Sequence, residues 1–213
     1  MAACQIDHLV ITTPILEAGA EFVVQTLGVT PQVGGEHPRM GTHNLLLRLG
    51  DSQYLEIIAP NPKEPPPDRP RWYGLDSLPP YTKPALTTWV ARTDDIRSAA
   101  AESSEPLGEI EAMSRGPLNW LITIPSDGVV PLDSAAPALI EWQTDVHPAK
   151  KLPNQGLSLG LLEIFHPEPA RVLRLLSSLG LAEQISVLSP FGGDAPHLVA
   201  HINTPHGLKR LSA

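Results

Sequence analysis

At 213 residues, 42% apolar and 18% charged, the chain has the composition of an ordinary globular protein with enough length for one or two cores. A formal charge of −8 without any basic stripe argues against nucleic acid as a partner, and no window approaches the ~20 consecutive apolar residues of a membrane span. The one cysteine, Cys4, rules out an internal disulfide; with an N-terminus lacking a basic signal-peptide region, it predicts a cytoplasmic location.

In chain order, Ile6–Thr12 reads as a strand and Leu16–Leu27 as a helix stopped by Gly28. Short strands follow near Val29–Val33, at Thr42–Leu49 and at Gln53–Ala59, with a polar, glycine-punctuated loop around Gly34-Gly35 and a turn at Gly50-Asp51. The order is β-α-β-β-β over residues 1–60. Residues 61–84 hold many of the 24 prolines and read as a connector with Trp72, Tyr73 and Tyr81 to bury.

The same order then returns over 85–150: strand Leu86–Arg92, helix Asp94–Ser103 capped by Thr93 or Asp94, and strands Gly108–Met113, Asn119–Ile124 and Ala138–Thr144. After a second link, His147–Asn154, a third copy spans 155–213. It has strand Ser158–Phe165, helix Pro169–Leu179, and strands Ile185–Leu188, His197–Ile202 and Leu208–Leu211. Matching the copies sets Leu161 against His8 and Arg210 against Glu56, so the third repeats the scaffold without the acid. The fold class is therefore α+β, built from repeated βαβββ modules. Two of them form a cupped mixed sheet, and the third is accessory.

Strand alternation sorts the polar side chains. His43, Leu45 and Leu47 belong under the helix, which leaves Asn44 and Arg48, with Tyr54 and Glu56 of the next strand, on a concave face. An acid inside Tyr54-Leu55-Glu56-Ile57 is costly without a partner. Aligning Tyr54–Ile57 with Leu139–Trp142 makes Glu141 the mate of Glu56. It puts Ile140 and Trp142 under the second helix and Asn119 on the concave face. His8 matches Thr88. Two facing carboxylates raise each other's pKa unless a cation lies between them. His8, Glu56 and Glu141 thus make a hard divalent-metal set, suited to Zn, Ni, Mn, Fe or Mg. His37 in the glycine loop, with Asn44, Arg48, Tyr54 and Asn119, is a candidate to line the substrate pocket. The glycine pair is not a phosphate loop, because no helix N-terminus follows it.

These stretches resemble the vicinal oxygen chelate superfamily, in its glyoxalase-like branch. The carriers are IDHLVITTP at Ile6–Pro14, GGEHPRMGTHNLLLRLG at Gly34–Gly50, YLEIIAP at Tyr54–Pro60, RPRWYGLD at Arg69–Asp76, TTWVARTDD, NWLITIPSDG and LIEWQTDVHPA. The resemblance implies paired modules around a metal, with ligands on the first and last strands of each: His8, Glu56 and Glu141, with Thr88 at the fourth position. It implies an isomerase or lyase acting on a small substrate with vicinal oxygens, one glutamate serving as general base. A non-catalytic drug- or metabolite-binding protein is the alternative. An extradiol-type dioxygenase is disfavoured, because it needs a second histidine where Thr88 stands. The third module has no mate within the chain, which leaves a homodimer open.

Overall fold

Apolar alternation and well-placed glycines lay down two equivalent units. In the computed structural model, which describes residues 4–212, the first unit comprises β1 (Gln5–Thr12), α1 (Leu16–Leu27), β2 (Gln32–His37), β3 (Thr42–Arg48) and β4 (Tyr54–Pro60). The second comprises β5 (Ala85–Arg92), α2 (Ile96–Glu102), β6 (Glu109–Arg115), β7 (Leu118–Ile124) and β8 (Ala138–Trp142). In each, the last strand returns parallel to the first, β4 on β1 and β8 on β5. Antiparallel pairing of β1 with β5 fuses them into one eight-stranded sheet, order β2-β3-β4-β1-β5-β8-β7-β6.

The helices cover the convex face. α1 ends where Gly28 takes a left-handed conformation (φ 75°) and returns its N–H to the Val24 carbonyl, which glycine does without strain. Gly19 allows the helix to approach β4 closely: a Cβ there would stand 2.4 Å from Ile57 Cγ2. α2 is capped by the Asp95 carboxylate, which accepts the Ser98 N–H, slightly later than the Thr93 or Asp94 expected.

The third unit comprises β9 (Ser158–Phe165), α3 (Pro169–Ser178), β10 (Ile185–Leu188), β11 (His197–Thr204) and β12 (Gly207–Ser212). Its element order repeats the others, but its pairing does not. β9 lies between a parallel β10 and an antiparallel β11, giving the order β10-β9-β11-β12. Leu162, Ile164, Val172, Leu175 and Leu198 join the same core as Leu9, Ile11 and Trp89, so this second sheet backs the convex face of the first. Arg171 fastens it through a two-pronged ion pair to Glu105 at 2.7 and 2.8 Å, and the Cys4 N–H binds the Leu179 carbonyl. The outermost residues expected in the terminal units, 1–3 and 213, lie outside the described residues. Among the described residues no helix is long and apolar enough to cross a membrane.

The proline-rich connector folds over the concave face. Trp72 and Leu75 are buried there with Val10, Ile58, Val90, Trp120 and Ile140. Gly74 donates to the Gly128 carbonyl at 2.8 Å and Arg69 pairs with Glu111 at 2.6 Å, tying the cover to the second unit.

Candidate functional site: a buried acid–histidine–acid chain in the cup

Alternation in β1 should send Asp7 and His8 to opposite faces. A register shift between Ile6 and His8 in the β1–β5 pairing bulges the strand at Asp7. A bulge re-aims a side chain, and here both residues are buried on one side. Asp7 Oδ1 lies 2.6 Å from His8 Nδ1. Asp7 Oδ2 accepts from Trp142 Nε1 at 3.0 Å and contacts His147 Nε2 at 2.9 Å. Tyr54 stacks on the His8 ring, centroids 4.4 Å apart. The far nitrogen, His8 Nε2, faces Glu56 Oε2 at 3.5 Å.

Glu56 is held from its other oxygen. Asn44 Nδ2 donates to Oε1 at 2.5 Å, while Asn44 Oδ1 accepts the Gly35 N–H at 2.9 Å and an Arg115 N–H at 3.2 Å. The Gly34-Gly35 pair thereby acquires a purpose. It lies in edge strand β2, not in a loop, and a Cβ on Gly34 would sit 2.2 Å from Asn44 Oδ1. A Cβ on Gly35 would sit 2.7 Å from Arg115 Cδ. The two glycines leave room for the side chains that hold Glu56 and close the rim. Arg115 also donates to His37 Nε2 at 3.0 Å, which leaves His37 Nδ1 to donate to Thr42 Oγ1 at 3.2 Å. His8, His37, Asn44, Tyr54, Glu56 and Arg115 form the polar wall of a narrow cavity; indole and phenol rings complete it.

Electrostatics fix the charges along the chain. Burial opposes the His8 imidazolium, but the hydrogen bonds and charges of Asp7 and Glu56 outweigh it and raise its pKa to about 9. Burial likewise opposes both carboxylates. His8 and Asn44 bring Glu56 down to about 2, and His147 with His8 hold Asp7 well below the carboxylate range. His37 moves the other way: burial lowers it to about 4, so it is a neutral hydrogen-bonding group near pH 7. Near neutrality the chain is carboxylate, imidazolium, carboxylate.

Of the residues expected at the site, the cup brings together His8, Glu56, Asn44, Tyr54 and His37. Three stand elsewhere. Glu141 lies on the convex face, where its Oε2 accepts the Ile96 N–H at the start of α2 at 2.9 Å. The repeat was aligned three residues out. Val10 is beside Glu56 in β1–β4, and Val90 is beside Ala138 in β5–β8, so Ala138 is the true mate of Glu56. Ile140 and Trp142, placed under the helix by that alignment, face the cup instead. Asn119 is exposed and gives its carbonyl to the Gln143 N–H; the strand mate of Asn44 is Ile122. Arg48 is turned to the Gly50 and Leu152 carbonyls and to Asp51, bracing a turn and the His147–Asn154 link.

The donor set does not make the three-ligand metal centre implied by the resemblance. His8 and Glu56 converge, but Thr88 offers only a neutral hydroxyl, whose Oγ1 is buried without a partner, and Ala138 offers nothing. Among the described residues no group of three or more His, Cys, Asp or Glu side chains is arranged to hold a metal.

Sequence reasoning missed Asp7, Arg115, Trp142 and His147. The adjacent Asp-His pair was the available signal for Asp7, but only the bulge turns it inward. Arg115 and His147 arrive from other strands and links, and no local pattern marks them.

Comparison with known proteins agrees with this architecture. A model of a glyoxalase-like domain matches residues 6–180. No protein of curated function matches the chain. Among solved structures, a hypothetical protein from Staphylococcus aureus is 14% identical, with a TM-score of 0.56 over 98% of this chain and 84% of that one. Methylmalonyl-CoA epimerase in complex with methylmalonyl-CoA and NH4+ is 16% identical, with a TM-score of 0.46 over 69% of this chain and 100% of its own. The Mycobacterium tuberculosis methylmalonyl-CoA epimerase is 15% identical, with a TM-score of 0.40 over 64% and 85%. At 14% identity the likeness to the Staphylococcus aureus protein describes the fold alone. With the family match spanning most of its length, the chain belongs to the glyoxalase-like domain family.

Proposed function

We propose that the protein is a proton-transfer enzyme of the isomerase type, acting on a small carbonyl compound with an adjacent oxygen. The observation that carries this reading is the 3.5 Å separation of His8 Nε2 and Glu56 Oε2. A charge-assisted N–H···O contact closes to roughly 2.7–2.9 Å when fully engaged. Here donor and acceptor lie side by side at the cavity wall, not fully engaged with each other, and both open to a substrate on the cavity side.

A carbonyl oxygen approaching from the cavity would take the hydrogen bond of the His8 imidazolium, which Asp7 orients from behind. Drawn toward the substrate oxygen, His8 would screen Glu56 less, and the carboxylate would become a stronger base. Glu56 would then remove the proton from the carbon next to the carbonyl. The C–H electron pair would become the enolate, whose negative oxygen faces His8, and return of the proton to carbon would complete the isomerisation. Asn44 positions the base and takes no part in the transfer.

The test is hydrogen exchange in D2O across a panel of small 2-oxo and 2-hydroxycarbonyl compounds, followed by proton NMR. At least one compound should exchange its α-hydrogen with the wild-type protein, and Glu56→Gln should lower the rate at least ~100-fold. Equal rates in the two proteins would remove Glu56 from the chemistry. A second reading, a non-catalytic small-molecule binder, is favoured by the rings of Trp72, Trp120 and Trp142 in the cup. Tight binding without exchange of any bound compound would support it.

A further inference from the structure

The two halves of the cup are equivalent in backbone and opposite in chemistry. The strand register makes Thr88 the equivalent of His8, and Ala138 the equivalent of Glu56, in the second unit. By the same register Ile122 is the equivalent of Asn44 and, one strand further out, Met113 that of His37. Polar positions of the first unit are thus apolar or nearly so in the second. On the second unit's side lies a further, narrow apolar cavity bounded by Ile122, Ile124, Val130, Pro131 and Ala138. It shares Trp72, Tyr73 and Ile122 with the polar cup, so the connector's two rings stand between the chambers. Tyr73 holds that place in a left-handed backbone conformation (φ 60°), uncommon for a tyrosine and a mark of a position fixed by its surroundings.

The cations at the rim are also unequal. Arg39 and Arg115 reach across the mouth in opposite directions, each from the end of one unit to a carbonyl or side chain of the other. Arg39 is balanced by Glu111. Arg115 has only neutral partners, His37 Nε2 and Asn44 Oδ1, and among the described residues no carboxylate forms an ion pair with it. Both partners are reached through NH1, and a guanidinium carries further N–H donors in a planar fork that matches a carboxylate.

We infer that the site reads a small carboxylic acid with an apolar tail: the carboxylate meets Arg115 at the polar end, and the tail enters the apolar chamber past Tyr73. This rests on the proton-transfer reading for the place of the carbonyl, beside His8, but concerns binding alone. A ligand with both ends matches a site with both walls. A neutral ketone leaves Arg115 without its anion, and a short acid leaves the second chamber unfilled.

The experiment is calorimetric titration with straight-chain 2-oxo acids from four to eight carbons and with the methyl ketones that lack the carboxylate. Affinity of the acids should rise about fourfold per methylene until the chamber is filled. The methyl ketones should bind at least ~10-fold more weakly, and Arg115→Gln should bring the acids down to the ketones' level. Val130→Phe, which fills the chamber, should abolish the gain with length. Val130→Ala should extend the gain by a carbon, and thermal melts of each variant establish that it is folded. A flat length series, acids and ketones of equal affinity, or Arg115→Gln binding as wild type would each overturn the inference. Exchange in D2O, run in parallel, separates the two proposals. Acids that bind by these rules without exchanging would leave this inference standing and remove the proton-transfer reading. Exchange of neutral 2-hydroxy ketones, with the acids and the methyl ketones binding alike, would do the reverse.

Discussion

The Asp7–His8–Glu56 chain makes a quantitative claim about pH, and Asp7→Asn tests it. His8 is lifted from 6.5 to about 9 by two carboxylates, and at ~1.4 kcal/mol per unit that is worth about 3 kcal/mol of folded-state stability. The sign follows from the direction. A histidine whose pKa is raised by folding contributes fully below its unfolded value near 6.5, and the contribution is lost as pH rises through about 9. The carboxylates act oppositely: their contribution is present above their ordinary range and is lost as pH falls, toward about 2 for Glu56. Asparagine at position 7 keeps the shape but removes the charge, and its amide nitrogen would face the Trp142 or His147 donor. The urea-unfolding free energy of the wild type should drop by about 3 kcal/mol between pH 6 and 10, and that of Asp7→Asn by roughly half as much. The variant should also be less stable throughout, since a buried pair broken on one side is costly. The His8 ring proton, followed by NMR, should titrate at least about one pH unit lower in the variant. Identical pH slopes in the two proteins, or a wild-type His8 titrating near 6.5, would refute the reasoning.

Two further substitutions separate the cup from its scaffold. Gly34→Ala would set a methyl 2.2 Å from Asn44 Oδ1, displacing the amide that holds Glu56; proton exchange or ligand affinity should fall at least ~10-fold while the melting temperature moves by only a few degrees. Glu141→Gln weakens the acceptor for the Ile96 N–H at the start of α2 and should cost roughly 1 kcal/mol by urea unfolding, with the cup's activity and His8 titration unchanged.

What was legible in the chain followed periodicity. The duplicated βαβββ order, the helix stops and the concave face of β3 and β4 all come from alternation read over several residues, which Asn44, Tyr54 and Glu56 obey. Glu141 marks the limit of periodicity. β8 is only five residues long, and Leu139-Ile140-Glu141-Trp142 fits Tyr54–Ile57 by type while its hydrogen-bond register is three residues away. A one-residue slip already turns every side chain over, and only the pairing with β5 decides it. Asp7 escaped for the converse reason, since a bulge suspends alternation where the site needs it. Arg115 depends on the approach of β6 to β2 across the mouth, a contact made 71 residues from Asn44 in the chain.

The third unit shows that element order and strand pairing are separate constraints. It repeats the order of the other two, yet places its first strand inside its sheet, because its apolar face is buried against the convex side of the large sheet rather than across a second cup. The backing matters to the site. β1 and β5 meet at the centre of the sheet, where Leu9 and Trp89 are fully buried beneath the second sheet and β11 and β12 lie against β5. A strand packed on both faces resists the shifts that would otherwise relax a bulge. The conformation that turns Asp7 toward His8 is thus held from the far side of the sheet, by a unit none of whose described residues lines the cup.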